Sequence, residues 1–277
     1  MTDSTLSWRG RRVLVTGYTG FLGGAVAREL FARGADVVGL LNDRPAPNVF
    51  GPGQSGHVHF VHGRADNVFR LHSAMAVHEV AAVFHLAAHD PFGDDRATPA
   101  VLHAAKLYGR RIPVVAARPI PQLGIARAAT RDDGLTVARF GELFGPGDRK
   151  LFRIVPATAL ALLAGDAPTP TPEGAARDFV FVTDAARACV RAAELTVSNG
   201  PDEHTFRSGW LMTDHQMAAA VRDVFAARPV ALPDSAAPTN LNGWEPARPF
   251  AEAVSETLAW YREYLRAGCA VPVRAAA

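Results

Sequence analysis

Gly17, Gly20 and Gly23 stand three residues apart, directly after the apolar run Val13-Leu14-Val15 and directly before a stretch of helical spacing that closes near Arg33-Gly34. The order is strand, tight turn, helix start. In that context the three glycines serve different ends. Gly17 permits the sharp turn, Gly20 lets the backbone approach a ligand, and Gly23 lets the helix pack closely on the strand. Such a turn aims the first N–H groups and the positive end of a helix at one point, which suits the pyrophosphate of a dinucleotide.

That turn has to be held by a parallel sheet, and the following residues supply one. Residues 35–41 are apolar throughout, as a central parallel strand requires, and His57–His62 alternate as a further strand. A helix over Leu71–His78 leads to a fourth strand at Val83–Ala88, and a helix over Pro99–Tyr108 leads to a fifth at Ile112–Ala117. A sixth begins at Leu135. Toward the end, Thr213–Ala226 and Ala251–Arg266 carry apolar residues at helical spacing on either side of a Pro-rich connection. The expected fold class is α/β, a Rossmann-type doubly wound parallel sheet with a small C-terminal substrate-binding lobe.

Composition narrows the partners. With 277 residues and 48% apolar content the chain can bury a large core, and a net charge of +2 is too small to imply nucleic acid or an anionic membrane as partner. No apolar run reaches the roughly 18 residues of a membrane span, and the polar start has no signal-peptide core, so the expectation is a cytoplasmic protein. Cys189 and Cys269 have no metal-spaced neighbours and are expected to be reduced thiols. His57, His59 and His62 lack an accompanying carboxylate or cysteine and split between two strand faces, so no metal is expected.

The motif Thr16-Gly-Tyr-Thr-Gly-Phe-Leu-Gly23 resembles that of extended short-chain dehydrogenases/reductases, the group with nucleotide-sugar epimerases and dehydratases. Val83-Phe-His-Leu-Ala-Ala88, Arg139-Phe-Gly-Glu-Leu-Phe-Gly-Pro-Gly-Asp148, Arg177-Asp-Phe-Val-Phe-Val-Thr-Asp184 and Leu241-Asn-Gly-Trp-Glu-Pro246 resemble later motifs in the family's order. The resemblance implies a nucleotide-binding domain of residues 1–145 and 177–203, and a substrate lobe of residues 146–176 and 204–277. It implies a cofactor site built from Gly17, Tyr18, Thr19, Gly20, Phe21, Leu22, Asn42, Arg44, Arg64, Ala65, Leu86, Ala87, Ala88, Val115, Ala116, Phe140 and Gly141.

Two positions bear on which cofactor. NAD-dependent relatives place an acidic residue near the end of the second strand to accept from the adenosine ribose. Here that place falls on Leu41, with Asn42, Asp43 and Arg44 following. A guanidinium there suits a 2′-phosphate, so NADPH/NADP is expected, with NADH the alternative if Asp43 holds the ribose. Relatives carry Gly-Asp after the third strand; this chain has Gly63-Arg64, where Arg64 is either a second phosphate-side cation or an exposed arginine.

The family's proton chemistry is missing. It uses a Ser or Thr after the fifth strand and a Tyr-x-x-x-Lys on the next helix. The tyrosines are Tyr18, Tyr108, Tyr261 and Tyr264, and the residues four later are Leu22, Ile112, Leu265 and Gly268. The lysines are Lys106 and Lys150 alone. The fifth strand runs into Ala116-Ala-Arg-Pro-Ile-Pro-Gln122 without a serine, and the space before Leu135 holds one short helix only.

A reductase without its own acid loses about 10²–10⁴ in rate unless the substrate supplies one. A phenol titrates near pH 10 like tyrosine, and a phenol beside a ketone is already in place. This compact variant is similar to the angucyclinone ketoreductase type of aromatic-polyketide antibiotic pathways, which implies NADPH-dependent reduction of a polycyclic aromatic ketone as small-molecule substrate. Substrate contacts are expected from His89, Asp90, Arg118, Gln122, Glu142 and Phe144, and Phe92, Phe152, Trp210 and Trp244 are either slot lining or core. Arg177, which meets a sugar-nucleotide diphosphate in relatives, is expected to pair with Asp178 or Asp184. The alternatives are a non-catalytic NADP-binding redox sensor and a nucleotide-sugar epimerase or dehydratase. Oligomeric state is left open.

Overall fold

Val13, Leu14 and Val15 are fully buried in β1, and the strands around it are equally apolar, which fixes a sheet covered on both faces. The computed structural model describes residues 7–41, 58–87, 96–120, 134–168, 174–232, 240 and 242–267. In chain order its elements are β1 (Arg12–Thr16), α1 (Phe21–Ala32), β2 (Asp36–Leu41), β3 (Val58–His62), α2 (Val68–Val77), β4 (Ala82–His85), α3 (Ala97–Tyr108), β5 (Val114–Pro119), β6 (Leu135–Phe140), β7 (Glu142–Phe144), α4 (Ile154–Ala164), β8 (Arg177–Phe181), α5 (Val182–Asn199), β9 (Glu203–Thr205), β10 (Leu211–Met212), α6 (Asp214–Phe225) and α7 (Phe250–Arg266).

The chain divides into two compact units. The first holds residues 1–140, 183–206 and 240–244. Its seven strands pair in the order β3-β2-β1-β4-β5-β6-β9 with parallel neighbours throughout, the doubly wound α/β arrangement expected. Alternation along each strand sorts the core. Leu14, Val38, Val83, Val114 and Val137 point to one face and pack with Leu71 and Met75 of α2 and Val101 and Ala104 of α3. Thr136 points to the other face, where its hydroxyl lies 2.6 Å from that of Thr196 on α5.

The second unit holds residues 141–182, 207–239 and 245–277. Its small sheet runs β10-β8-β7, with β8 parallel to β7 and antiparallel to β10. The core is aromatic and aliphatic: Phe144, Phe179, Phe181, Met212, Met217, Val221, Phe250, Leu258 and Tyr261 are buried together. Helix α6 begins with reciprocal caps, Gln216 N–H donating to Thr213 Oγ1 at 3.2 Å and Thr213 N–H donating to Gln216 Oε1 at 2.8 Å.

These boundaries differ from the expected ones: the first unit ends at Phe140 and not at residue 145, and its returning segment ends at Phe206 and not at residue 203. The strand Arg177–Phe181 pairs inside the second unit, and the first unit resumes at Thr183, not at Arg177. Residues 240–244 pack with the first unit because Trp244 is buried edge-on against Phe206, ring centroids 5.5 Å apart.

Candidate functional site

The strand order reverses between β1 and β4, and ligands of open α/β sheets bind outside the carboxyl ends of the strands at that reversal. Both strands end there in close backbone contact. Gly17 has φ +70°, and a Cβ placed on it would lie 2.7 Å from the Cα and N of Ala87. A Cβ on Gly23 would lie 2.0 Å from the carbonyl oxygen of Gly17. Gly20 N–H donates to Gly17 O at 2.9 Å, and Gly20 is the N-cap of α1. No side chain caps α1, and its first turn carries no acidic residue. The result is a cradle that a side chain would fill, at a helix terminus without an acceptor of its own, and it fits a pyrophosphate.

Polar groups brace the cradle from below. Thr16 Oγ1 and His85 Nδ1 lie 2.8 Å apart, both residues fully buried, and Thr16 Oγ1 also accepts from Ala87 N–H at 3.3 Å. Leu86 N–H donates to Thr16 O at 3.1 Å. The bond from β1 to β4 thus sets the height of Leu86 and Ala87 against Gly17. Sequence reasoning missed this brace, although the signal was a histidine and a threonine closing two otherwise apolar strands.

Several expected cofactor residues have their side chains buried in packing. The Tyr18 ring is 1% exposed, lies 2.8 Å from where a Cβ on Gly39 would be, and stands 5.8 Å from the Phe60 ring. Burial pushes its hydroxyl pKa up. Val115 and Ala116 are buried in β5, and Phe140 is buried and stacked on Phe206. A Cβ on Gly141 would lie 1.9 Å from Asp178 O, so that glycine serves packing inside the second unit. Thr19, Phe21, Leu22, Ala65 and Leu86 are half-buried and Ala87 is exposed. Asn42, Arg44, Ala88, His89, Asp90, Phe92 and Gln122 lie outside the described residues.

Arg64 is exposed, as one of its two readings expected, and it is ion-paired. Its guanidinium forks onto Asp66, Nη2 at 2.8 Å and Nε at 3.0 Å. That contact holds the Asp66 carboxyl below its ordinary pKa.

Of the expected substrate contacts, Arg118 sits at the carboxyl end of β5 in register with Arg139, and its Nη2 donates to Thr98 Oγ1 at 2.8 Å. Arg139 is itself committed to Glu203 and to the Pro119 carbonyl. Glu142, in the second unit, pairs with Arg153 at 3.3 Å. Phe144 is a correction: it is 1% exposed and packs among Phe181, Trp210 and Phe250, because β7 lies against β8 in the core. Trp244 is core as well, Trp210 is half-buried, and Phe152 stands 84% exposed. Arg177 pairs with Asp214, not with Asp178 or Asp184. Asp178 accepts instead from Ser208 and Gly209, and Asp184 from Arg187.

No tyrosine is followed four residues later by a lysine. Tyr108 ends α3, at the sheet's amino edge, opposite the cradle. Tyr261 donates to the Asp148 carbonyl at 2.7 Å, and Tyr264 stacks on Trp260, both in the second unit. Among the described residues no three His, Cys, Asp or Glu side chains group to hold a metal ion, and no helix is long and apolar enough to cross a membrane. Cys189 is buried, which pushes its thiol pKa up.

A model of the NAD-dependent epimerase/dehydratase family matches residues 13–112 and 123–206. The chain belongs to that family. Its fold is shared by solved members. An epimerase from Methanothermobacter thermautotrophicus is similar at 20% identity and TM-score 0.73, over 94% of each chain. The Bordetella bronchiseptica enzyme WbmF, solved with NAD+ and UDP, is similar at 18% identity and TM-score 0.74, over 96% of each chain. The dTDP-glucose 4,6-dehydratase of Bacillus anthracis, solved with NAD, is similar at 17% identity and TM-score 0.74, over 92% of this chain and 97% of that one. No curated protein sequence matches. Against the family's proton chemistry, this epimerase/dehydratase member lacks the Tyr-x-x-x-Lys completely, while its nucleotide cradle is intact.

Proposed function

We propose that the chain is an NADPH-dependent ketoreductase that reduces a ring ketone of a polycyclic aromatic polyketide of the angucyclinone type, in antibiotic biosynthesis, with the substrate's own phenol as proton donor. One conjunction supports this reading. The cradle of Gly17, Gly20 and Gly23 is complete at the switch point, while the chain has no Tyr-x-x-x-Lys.

The first unit would hold the dinucleotide, its pyrophosphate against the first turn of α1, and the second unit would serve the substrate. Bound NADPH supplies a hydride to the carbonyl carbon. The carbonyl oxygen becomes an alkoxide, the neighbouring phenolic O–H breaks, and its proton closes the alcohol. The phenolate then takes a proton from water. In this reading Arg118, whose guanidinium donates to Thr98 at the carboxyl edge, would orient the ketone, and His89, Asp90, Gln122 and Glu142 are the further contacts proposed. Phe144 leaves that set because it is core.

A nucleotide-sugar epimerase or dehydratase is favoured by the names of the solved relatives. Its chemistry needs a tyrosine cycling a proton at a sugar hydroxyl, and Arg177 is engaged by Asp214. The deciding experiment measures NADPH consumption with an aromatic ketone peri to a phenol, with its O-methyl ether, and with a nucleotide sugar. The hydroxy-ketone should turn over and the ether should fall by about 10²–10⁴. Tyr→Phe at Tyr18, Tyr108 and Tyr264 should leave turnover within a few-fold. An equally fast ether, or a loss of about 10³-fold from one such folded variant, overturns the proposal. Tight NADPH binding without turnover of any of the three would favour the redox sensor.

A further inference from the structure

A cavity of about 740 Å³ opens at the carboxyl end of β3, lined among others by His62, Arg64, Asp66, Asn67, Phe69 and Arg70. It lies wholly within the first unit. Strands β2 and β3 are parallel neighbours with Leu41 opposite His62, and Gly63 N–H donates to Leu41 O at 2.8 Å. The cavity therefore adjoins the end of the second strand, where a dinucleotide fold places the adenosine ribose.

Its charge balance is informative. Leu41 offers no carboxylate to accept from a ribose 2′-hydroxyl or to repel a 2′-phosphate. The lining brings two guanidinium groups and one imidazole against a single carboxylate, Asp66. Asp66 is occupied by the fork of Arg64. Arg70 is anchored by its main chain, whose N–H donates to the Asn67 Oδ1 cap of α2 at 3.0 Å, and its Cβ and Cγ lie 3.4 Å from where a Cβ on Gly63 would be. Gly63 is thus flanked by Arg64 in sequence and by the stem of Arg70 in space.

We propose that Arg64 and Arg70 clamp the 2′-phosphate of NADPH at the end of β3, and that Asp66 holds Arg64 in place until the phosphate takes it over. A guanidinium offers paired donors matched to a phosphate dianion, and exchange of one anionic acceptor for a doubly charged one favours the ligand. The inference rests on the NADPH reading above and adds the residues that would make that choice.

The test uses the full chain and two probes without a nicotinamide, adenosine 2′,5′-bisphosphate and 5′-AMP, with binding read by calorimetry. The wild type should bind the bisphosphate at least about tenfold more tightly than AMP, as one charge-assisted phosphate contact provides. R64Q and R70Q should each lower bisphosphate affinity about tenfold and leave AMP within about twofold. D66N should raise bisphosphate affinity, and the preference should shrink as salt screens these exposed charges. If the wild type prefers the bisphosphate but both arginine variants keep the ratio, the clamp is overturned and the cofactor reading stands. If the wild type shows no preference, both fall. If the variants weaken both probes alike, the arginines shape the cavity and do not read the phosphate, which also overturns the clamp. Arg64 has 76% side-chain exposure, so R64Q should keep the fold.

Discussion

Replacing Gly17 by alanine tests whether the cradle is set by backbone contact or by conformation alone. At φ +70° an alanine pays about 1–2 kcal/mol of left-handed strain, partly offset by about 0.4–1 kcal/mol from a stiffer unfolded chain. Gly109 supplies the control, since it has φ +73° and its nearest neighbour to a Cβ is 3.9 Å away. At Gly17 the new methyl would also stand 2.7 Å from Ala87 Cα and N and 2.8 Å from Leu86 C, and those are backbone atoms that cannot swing aside. Overpacking of that kind adds about 1–3 kcal/mol. G17A should therefore be destabilised by about 1–3 kcal/mol more than G109A in urea unfolding. Its NADPH affinity, read by the nucleotide's fluorescence, should drop while that of G109A holds. If G17A and G109A unfold at the same urea concentration, Ala87 yields freely and the rigid contact between β1 and β4 is refuted.

Two further outcomes belong to the second unit. Tyr261→Phe removes the buried bond to the Asp148 carbonyl, which should cost about 1–3 kcal/mol in urea unfolding and leave NADPH affinity unchanged. Asp148 is 1% exposed and its carboxyl pKa is raised, chiefly by burial, with donation from Lys150 N–H and attraction from Arg153 opposing the rise. Because the folded value lies above the unfolded one, Asp148 contributes stability below the ordinary carboxylate range that is lost as pH rises through the raised value. Unfolding free energies from pH 4 to 8 should decline for the wild type relative to D148N, and parallel curves would show that the burial does not govern its titration.

Much of the fold is readable from local sequence because its determinants are local. Three glycines between an apolar strand and a helix leave one geometry, and apolar runs such as Val83–Phe84 between turn signals leave one kind of strand. What escaped is decided by contacts distant in sequence. Phe144 and Trp244 carry no local mark that separates a ligand wall from a core, and their partners Phe181 and Phe206 lie far along the chain from them. Arg177 has carboxylates at Asp178 and Asp184 just ahead, yet takes the one that the start of α6 brings to β8. Arg64 is open to solvent, yet nothing local showed that the turn after β3 folds Asp66 back onto its guanidinium. The departure that matters most for chemistry, the missing Tyr-x-x-x-Lys, was fully legible because it is an absence in the chain itself.

The packing of Tyr18 over Gly39 has a thermodynamic consequence. A Cβ at position 39 would lie 2.8 Å from the ring, so only glycine lets the turn lie flat on β2, and the aromatic ring bolts it there. The turn that the proposed nucleotide would meet is thus fixed by packing within the chain itself. Little of this turn's own ordering entropy would then remain to be lost on association, which removes one of the costs that otherwise lower affinity.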